Sequence, residues 1–259
     1  MAEKSGDVLN VCTEIGRILL ENGAEISRTE DTLSRIANYY GVTESDFFVL
    51  TNGILSSATD TAGTNSARVK FIPSNSANLA KVTAINQLSR EICSGKYTLD
   101  DVRKEIRRID ALHSEPGLHI VAATALGSGA FSLLYGGRPA DAVSALTAGL
   151  ILGLFVEFIA KRHLSKITTN ILGSALVSVI CLFFHHLGFS SNMNAMIAGS
   201  IIPLIPGVPF VNGIRDIAKG DYLSGVVRLL DSIFVFICIA VGVGTVLALY
   251  SRLQGGLAL

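Results

Sequence analysis

From Ile167 to Ile214 the chain carries no Asp, Glu, Lys or Arg, a run of 48 residues. So long an uncharged stretch does not make a water-facing surface, and one membrane crossing takes about 20 apolar residues. The run therefore predicts two crossings, over 168–187 and 194–211, divided by the polar stretch from His185 to Asn192. Apolar runs of spanning length also cover 118–137 and 142–160. A fifth, free of charge from Ser232 to Ser251, is expected over 229–251.

Charge divides the chain near Pro116. Residues 1–116 hold 16 acidic and 13 basic side chains, and the 143 residues beyond hold 5 and 8. This predicts a soluble domain over 1–116 and a membrane domain over 117–259. The expected fold class is an α-helical polytopic membrane protein, with about five transmembrane helices and an N-terminal cytoplasmic α/β domain. A net charge of zero offers no electrostatic reason to bind nucleic acid. Cys12, Cys93, Cys181 and Cys238 are scattered without a CxxC pair, so no metal site, disulfide framework or cofactor is expected. The first ten residues lack the apolar core of a signal peptide, and the first domain is expected to remain in the cytoplasm.

In that domain Val8, Val11, Ile15, Ile18 and Leu19 have helical spacing, and Gly23 suits a left-handed cap. A second helix runs to about Tyr40 and closes at Gly41, with Ser27 and Glu30 at capping-box spacing. Strands are expected over 47–50, 54–58 and 67–72, with Asn52-Gly53 turning the first hairpin. Helices follow over 78–91 and 99–110. Arg103, Lys104, Arg107 and Arg108 lie just before the membrane domain, where anionic lipid headgroups are the expected partner.

Lys161, Arg162 and Lys166 follow the second span, and Arg215 and Lys219 follow the fourth. The positive-inside rule puts these loops and the N-terminus in the cytoplasm, and the C-terminus outside. Pro203, Pro206, Gly207 and Pro209 break the fourth span, because proline removes a backbone donor. Irregular backbone at membrane depth must be buried or line a polar cavity, and freed carbonyls and half-helix ends there can hold a ligand. Asn212, Arg215 and Asp216 share one helical face just beyond the break. Arg215 can offer a fork to a substrate carboxylate, with Asn212 orienting it. Asp216, with Glu157 or a histidine, can exchange protons. Equally, Arg215 and Asp216 can anchor a re-entrant turn at the cytoplasmic surface. His185 and His186, at the outer boundary, are a candidate proton site.

The stretch PGVPFVNGIRDIAKGDYLSG resembles the signature of the threonine/serine exporter family. LLENGAEISRTEDTLSRIA and FVLTNGILSSAT resemble that family's cytoplasmic domain. The first motif falls on Pro206, Gly207, Pro209, Asn212, Arg215, Asp216, Gly220, Asp221 and Gly225. The N-terminal motif falls on Glu21, Gly23, Ala24, Arg28, Glu30 and Asp31. The resemblance implies a multi-pass protein of the bacterial inner membrane. Full-length members have about ten spans, and five spans resemble the larger subunit of a split exporter with a small companion membrane protein. Split pairs are associated with succinate-like dicarboxylates, and full-length members with proton-driven efflux of threonine and serine.

The reading that follows is a subunit of a membrane exporter for small carboxylates or small amino acids, proton-coupled and working as a homo- or hetero-oligomer. The alternative is a non-transporting regulatory or assembly subunit. No HExxH or GxSxG motif supports an enzyme.

Overall fold

The structure is a computed structural model that describes residues 5–42, 44–59, 63, 65–73, 78–112 and 116–253. It is mostly helical and divides into two compact units. The first contains Met1–Ser114 together with Gly207–Leu230, and the second contains Glu115–Pro206 and Asp231–Leu259.

In the first unit, α1 (Ser5–Glu21) and α2 (Ile26–Tyr39) precede strands β1 (Glu44–Leu50), β2 (Gly53–Thr59) and β3 (Asn65–Phe71). Helices α3 (Leu79–Cys93) and α4 (Leu99–Asp110) follow. The strands form an antiparallel sheet in the order β1-β2-β3, with Phe48 opposite Leu55 and Leu55 opposite Val69. One face is buried, with Ile54, Ser56 and Ala58 alternating inward along β2. The helices bury Ile15, Ile18, Leu33, Ile85, Ile92 and Val102 in the same core. A methyl on Gly16 would stand 2.5 Å from Ile54 Cδ1, so α1 lies directly on the sheet.

Both predicted glycine caps form. Gly23 has φ +85°, and the Ala24 and Gly23 amides donate to Leu19 O and Leu20 O. Gly41 ends α2 with the same pair of bonds. This closure satisfies carbonyls that would otherwise lack partners, and glycine carries no Cβ penalty in that conformation.

Two local expectations are corrected. No capping box begins at Ser27, because α2 starts at Ile26. The Ser27 hydroxyl instead donates to Glu25 Oε1 at 3.1 Å, and Glu30 accepts the Val49 amide at 3.1 Å. The expected hairpin between β1 and β2 forms, with a loop one residue shorter than the expected 51–53. Gly53 already pairs with Leu50, so Thr51 and Asn52 form the loop, and neither has positive φ.

The basic run on α4 is largely engaged within its own unit. Arg103 pairs with Asp7 and Asp100, Lys104 with Asp101, and Arg108 with Glu105.

In the second unit, α5 covers Gly117–Leu134. Helix α6 (Pro139–Leu154) continues through a π-helical turn at Phe155–Ala160 to His163. Helices α7 (Lys166–His186) and α8 (Met193–Ile201) follow. Helix α9 (Gly207–Ala218) belongs to the first unit, and α10 (Tyr222–Leu253) begins there and ends in the second. By length and composition, α5, the 139–163 helix, α7 and α10 can each cross a membrane. A fifth crossing results if the broken pair Met193–Leu204 and Gly207–Ala218 is one span.

Small residues let these helices approach closely. A methyl on Gly199 would meet Ser132 N at 2.5 Å and Ser128 O at 2.8 Å, so α8 and α5 touch backbone to backbone. Leu152, Val177, Cys181 and Met196 fill the adjoining core. At one end of the unit, buried Asp141 accepts the amides of Arg138, Ser191 and Asn192 at 2.8, 2.8 and 3.0 Å.

Candidate functional site

The proline-rich segment shapes the start of α9. Pro203 lies in a single 3-10 turn, Ile202–Leu204, and the chain breaks at Ile205 and Pro206 before helix resumes at Gly207. Pro209 occupies the first turn of α9, where a missing amide costs nothing. Gly220, with φ +95°, ends α9, and the Asp221 and Gly220 amides donate to Asp216 O and Ile217 O.

The chain then turns straight into α10, and the two helices meet through glycines. A methyl on Gly225 would lie 2.8 Å from Gly213 O and 2.9 Å from Ile217 N. Gly213 and Gly225 thus set a backbone-to-backbone contact. Asp216 of α9 is fully buried beside Arg228 of α10, with Oδ2 at 3.2 Å from Nη1.

This helical corner folds with the N-terminal motif inside the first unit. The Asn212 amide donates to Gly23 O at 3.0 Å, and Arg228 Nη2 donates to Ala24 O at 3.1 Å. Thr51 Oγ1 donates to Ser224 O at 3.4 Å. The centre of the contact is Glu25, which is 6% exposed. Its Oε2 is 3.3 Å from Arg215 Nη1 and 3.6 Å from Arg28 Nε, and its Oε1 accepts from Lys219 Nζ. Lys219 also donates to Ser27 Oγ at 2.8 Å. Burial works to raise the Glu25 carboxyl, but the bonds from Lys219, Ser27 and Arg215 and the charge of Lys219 outweigh it and hold it below its usual range.

Beside this cluster is a cleft of about 190 Å³. Arg28, Asn86, Asn212 and Arg215 supply most of its polar lining, and Leu79 and Val82 of α3 form part of its apolar wall.

The sequence-selected residues therefore separate into groups. Asn212 and Arg215 line the cleft, with Asp216 buried on the same helix. Glu21 and Glu30 bind within the N-terminal domain, to Arg17 at 2.8 Å and to the Val49 amide. Asp31 is exposed on α2. Asp221 opens α10, its carbonyl accepting the Gly225 amide at 2.9 Å. Glu157 lies on the π-helical turn of the other unit, paired with Lys161. His185 and His186 end α7, with His185 Nδ1 at 3.3 Å from Ser190 O.

Sequence reasoning missed Glu25 and Arg228. Glu25 immediately follows the Gly23-Ala24 cap, which is where a helix junction exposes polar groups. Arg228 is an isolated cation in an apolar helix, three residues beyond Gly225, and such a cation needs a buried partner.

Residues 10–250 match the model of the ThrE family, described as "Putative threonine/serine exporter". The chain is similar to a probable succinate transporter subunit, YjjP, of Escherichia coli (strain K12), 26% identical over 95% of each chain. It is also similar to a threonine/serine exporter of Corynebacterium glutamicum, 23% identical over 92% of this chain and 50% of that protein. A probable threonine/serine exporter of Mycobacterium tuberculosis is 22% identical over 91% of this chain and 45% of that protein. The chain thus spans about half the length of these two exporters. No solved structure matches it.

Proposed function

Because the chain belongs to the threonine/serine exporter family, a family of transporters and not of enzymes, we propose that it is a subunit of a proton-coupled membrane exporter. Its substrates are small carboxylates, either succinate-like dicarboxylates or the small amino acids threonine and serine. Arg215 receives the substrate carboxylate and Asn212 orients it. Asp216 and Glu157 are the candidate proton carriers, and His185 and His186 a further candidate proton site. A small companion membrane protein completes the system. The subunit designation and matching length of the Escherichia coli relative support that arrangement, as does the twofold length of the single-chain exporters.

One observation carries the reading. Arg215 is half exposed and lines an open cleft next to Arg28, Asn86 and Asn212. A planar guanidinium presented in a concave, mixed polar and apolar wall suits a carboxylate on a short carbon chain. Folding of 215–230 with the N-terminal residues supports a cytoplasmic position for both, in keeping with the basic loops. The C-terminus is then outside.

The second reading, a regulatory subunit, is favoured by a different fact. Glu25 of the N-terminal domain already engages Arg215 and Lys219. A non-transporting subunit would use that contact as its working interface.

Proteoliposomes separate the two readings. Labelled succinate, serine and threonine are supplied with an imposed pH gradient, to this chain alone and to this chain with its companion. Gradient-dependent uptake is expected in at least one preparation, with most of it lost in Arg215→Lys, because lysine lacks the fork. Absence of uptake from folded, inserted protein in both preparations would transfer the case to the regulatory reading.

A further inference from the structure

Three cations, Arg28, Arg215 and Lys219, converge on the single carboxylate of Glu25. One acid does not neutralise three cations. They are also not buried with it, since the Arg28, Arg215 and Lys219 side chains are 76, 50 and 44% exposed. Arg28 and Arg215 both face the cleft, and Glu25 is the acid in its lining. The cleft is therefore an anion site with a carboxylate already in it, attached to the protein's own backbone.

The hold on that carboxylate is uneven. Oε1 accepts from Lys219 and, at 3.1 Å, from Ser27. Oε2 has Arg215 at 3.3 Å and Arg28 at 3.6 Å, both longer than the 2.7–2.9 Å of a strong charge-assisted bond. Glu25 can thus surrender its arginines and keep its lysine. We infer that Glu25 is a tethered competitor, and that a small free carboxylate entering the cleft displaces it from Arg215 and Arg28. Displacement removes the Arg215 link between Glu25 and α9, while the Asn212 bond to Gly23 and the Lys219 bond to Glu25 remain. The inference rests on the exporter reading for the identity of the carboxylate, but the competition is a property of this unit alone.

The test measures binding of succinate and of serine to the purified, detergent-solubilised full chain by calorimetry. If Glu25 occupies the site in about nine molecules of ten, removing its charge tightens apparent affinity about tenfold. Glu25→Gln (E25Q) is therefore expected to bind one of the two probes about tenfold tighter than wild type. Glu25→Asp, one methylene shorter and still charged, is expected to fall between them, and carries the test if the glutamine variant does not fold. Arg215→Gln is expected to abolish binding in either background.

Equal or weaker affinity in folded E25Q, full affinity in Arg215→Gln, or no saturable binding by any variant would each overturn the competition. Transport is scored separately in the proteoliposomes. Uptake by wild type without tightening in E25Q refutes the tethered competitor and leaves the exporter. Tightening in E25Q without uptake of any solute refutes the exporter and leaves the competitor.

Discussion

Gly225→Ala places one methyl group where two helices touch. Its Cβ would stand 2.6 Å from Ile217 Cγ1, 2.8 Å from Gly213 O and 2.9 Å from Ile217 N. The isoleucine side chain can turn away, but the two backbone atoms cannot. Ordinary van der Waals contact begins near 3.4 Å, so α9 and α10 must separate by about 0.5 Å. Overpacking of this kind costs about 1–3 kcal/mol. Against that, alanine is a better helix former than glycine by about 0.5–1 kcal/mol. The net expectation is a loss of up to about 2.5 kcal/mol. Gly244→Ala, on the same helix, supplies the control, because nothing lies within 4 Å of its added Cβ. It keeps the propensity gain without the clash, so it should be neutral or stabilising. Thermal unfolding of both variants in one detergent tests the pair. A Gly225→Ala protein as stable as Gly244→Ala would refute the close approach of the two helices.

Three further outcomes rest on other polar contacts. Glu25, held below its usual range, contributes stability above its unfolded value near 4.5, and loses it as pH falls through the lower folded value. The stability gap between wild type and E25Q should therefore close in acid, as Glu25 sheds the charge that Arg28, Arg215, Lys219 and the Ser27 hydroxyl hold. A gap that persists well below that range would contradict the assignment. Asp141→Asn turns an amide donor toward one of three backbone donors, which should cost about 1–3 kcal/mol in thermal unfolding. Asp231→Asn removes an exposed partner of Lys166, and the expected change is under about 1 kcal/mol by the same measurement.

Much of the architecture was legible because it depends on local rules. Helices ended at Gly23 and Gly41 because a left-handed residue closes a helix wherever it occurs. The apolar runs read as helices because span length depends on composition alone. The errors were also local. Ser27 and Glu30 have capping-box spacing, yet Ser27 bonds to Glu25 and to the distant Lys219, and Glu30 to the Val49 amide. Asn52-Gly53 marked the hairpin, but the pairing of Leu50 with Gly53 shortened its loop by one residue.

The candidate site divides in the same way. Asn212 and Arg215 were legible as one helical face, because a spacing of three residues is a property of the helix itself, whereas Asp216 turns away from the cleft to Arg228 of α10. Their partners were not. Glu25 lies 190 residues from Arg215 and 194 from Lys219 along the chain, and no periodicity links such positions. The sequence by itself determined the helix break at the prolines, the polar residues beyond it and the glycines that end the helices. Only the tertiary structure decided that this face meets the Gly23–Glu25 turn and that Arg215 already has a carboxylate. Ion pairing depends on distances in space, and those exist only once the chain has folded.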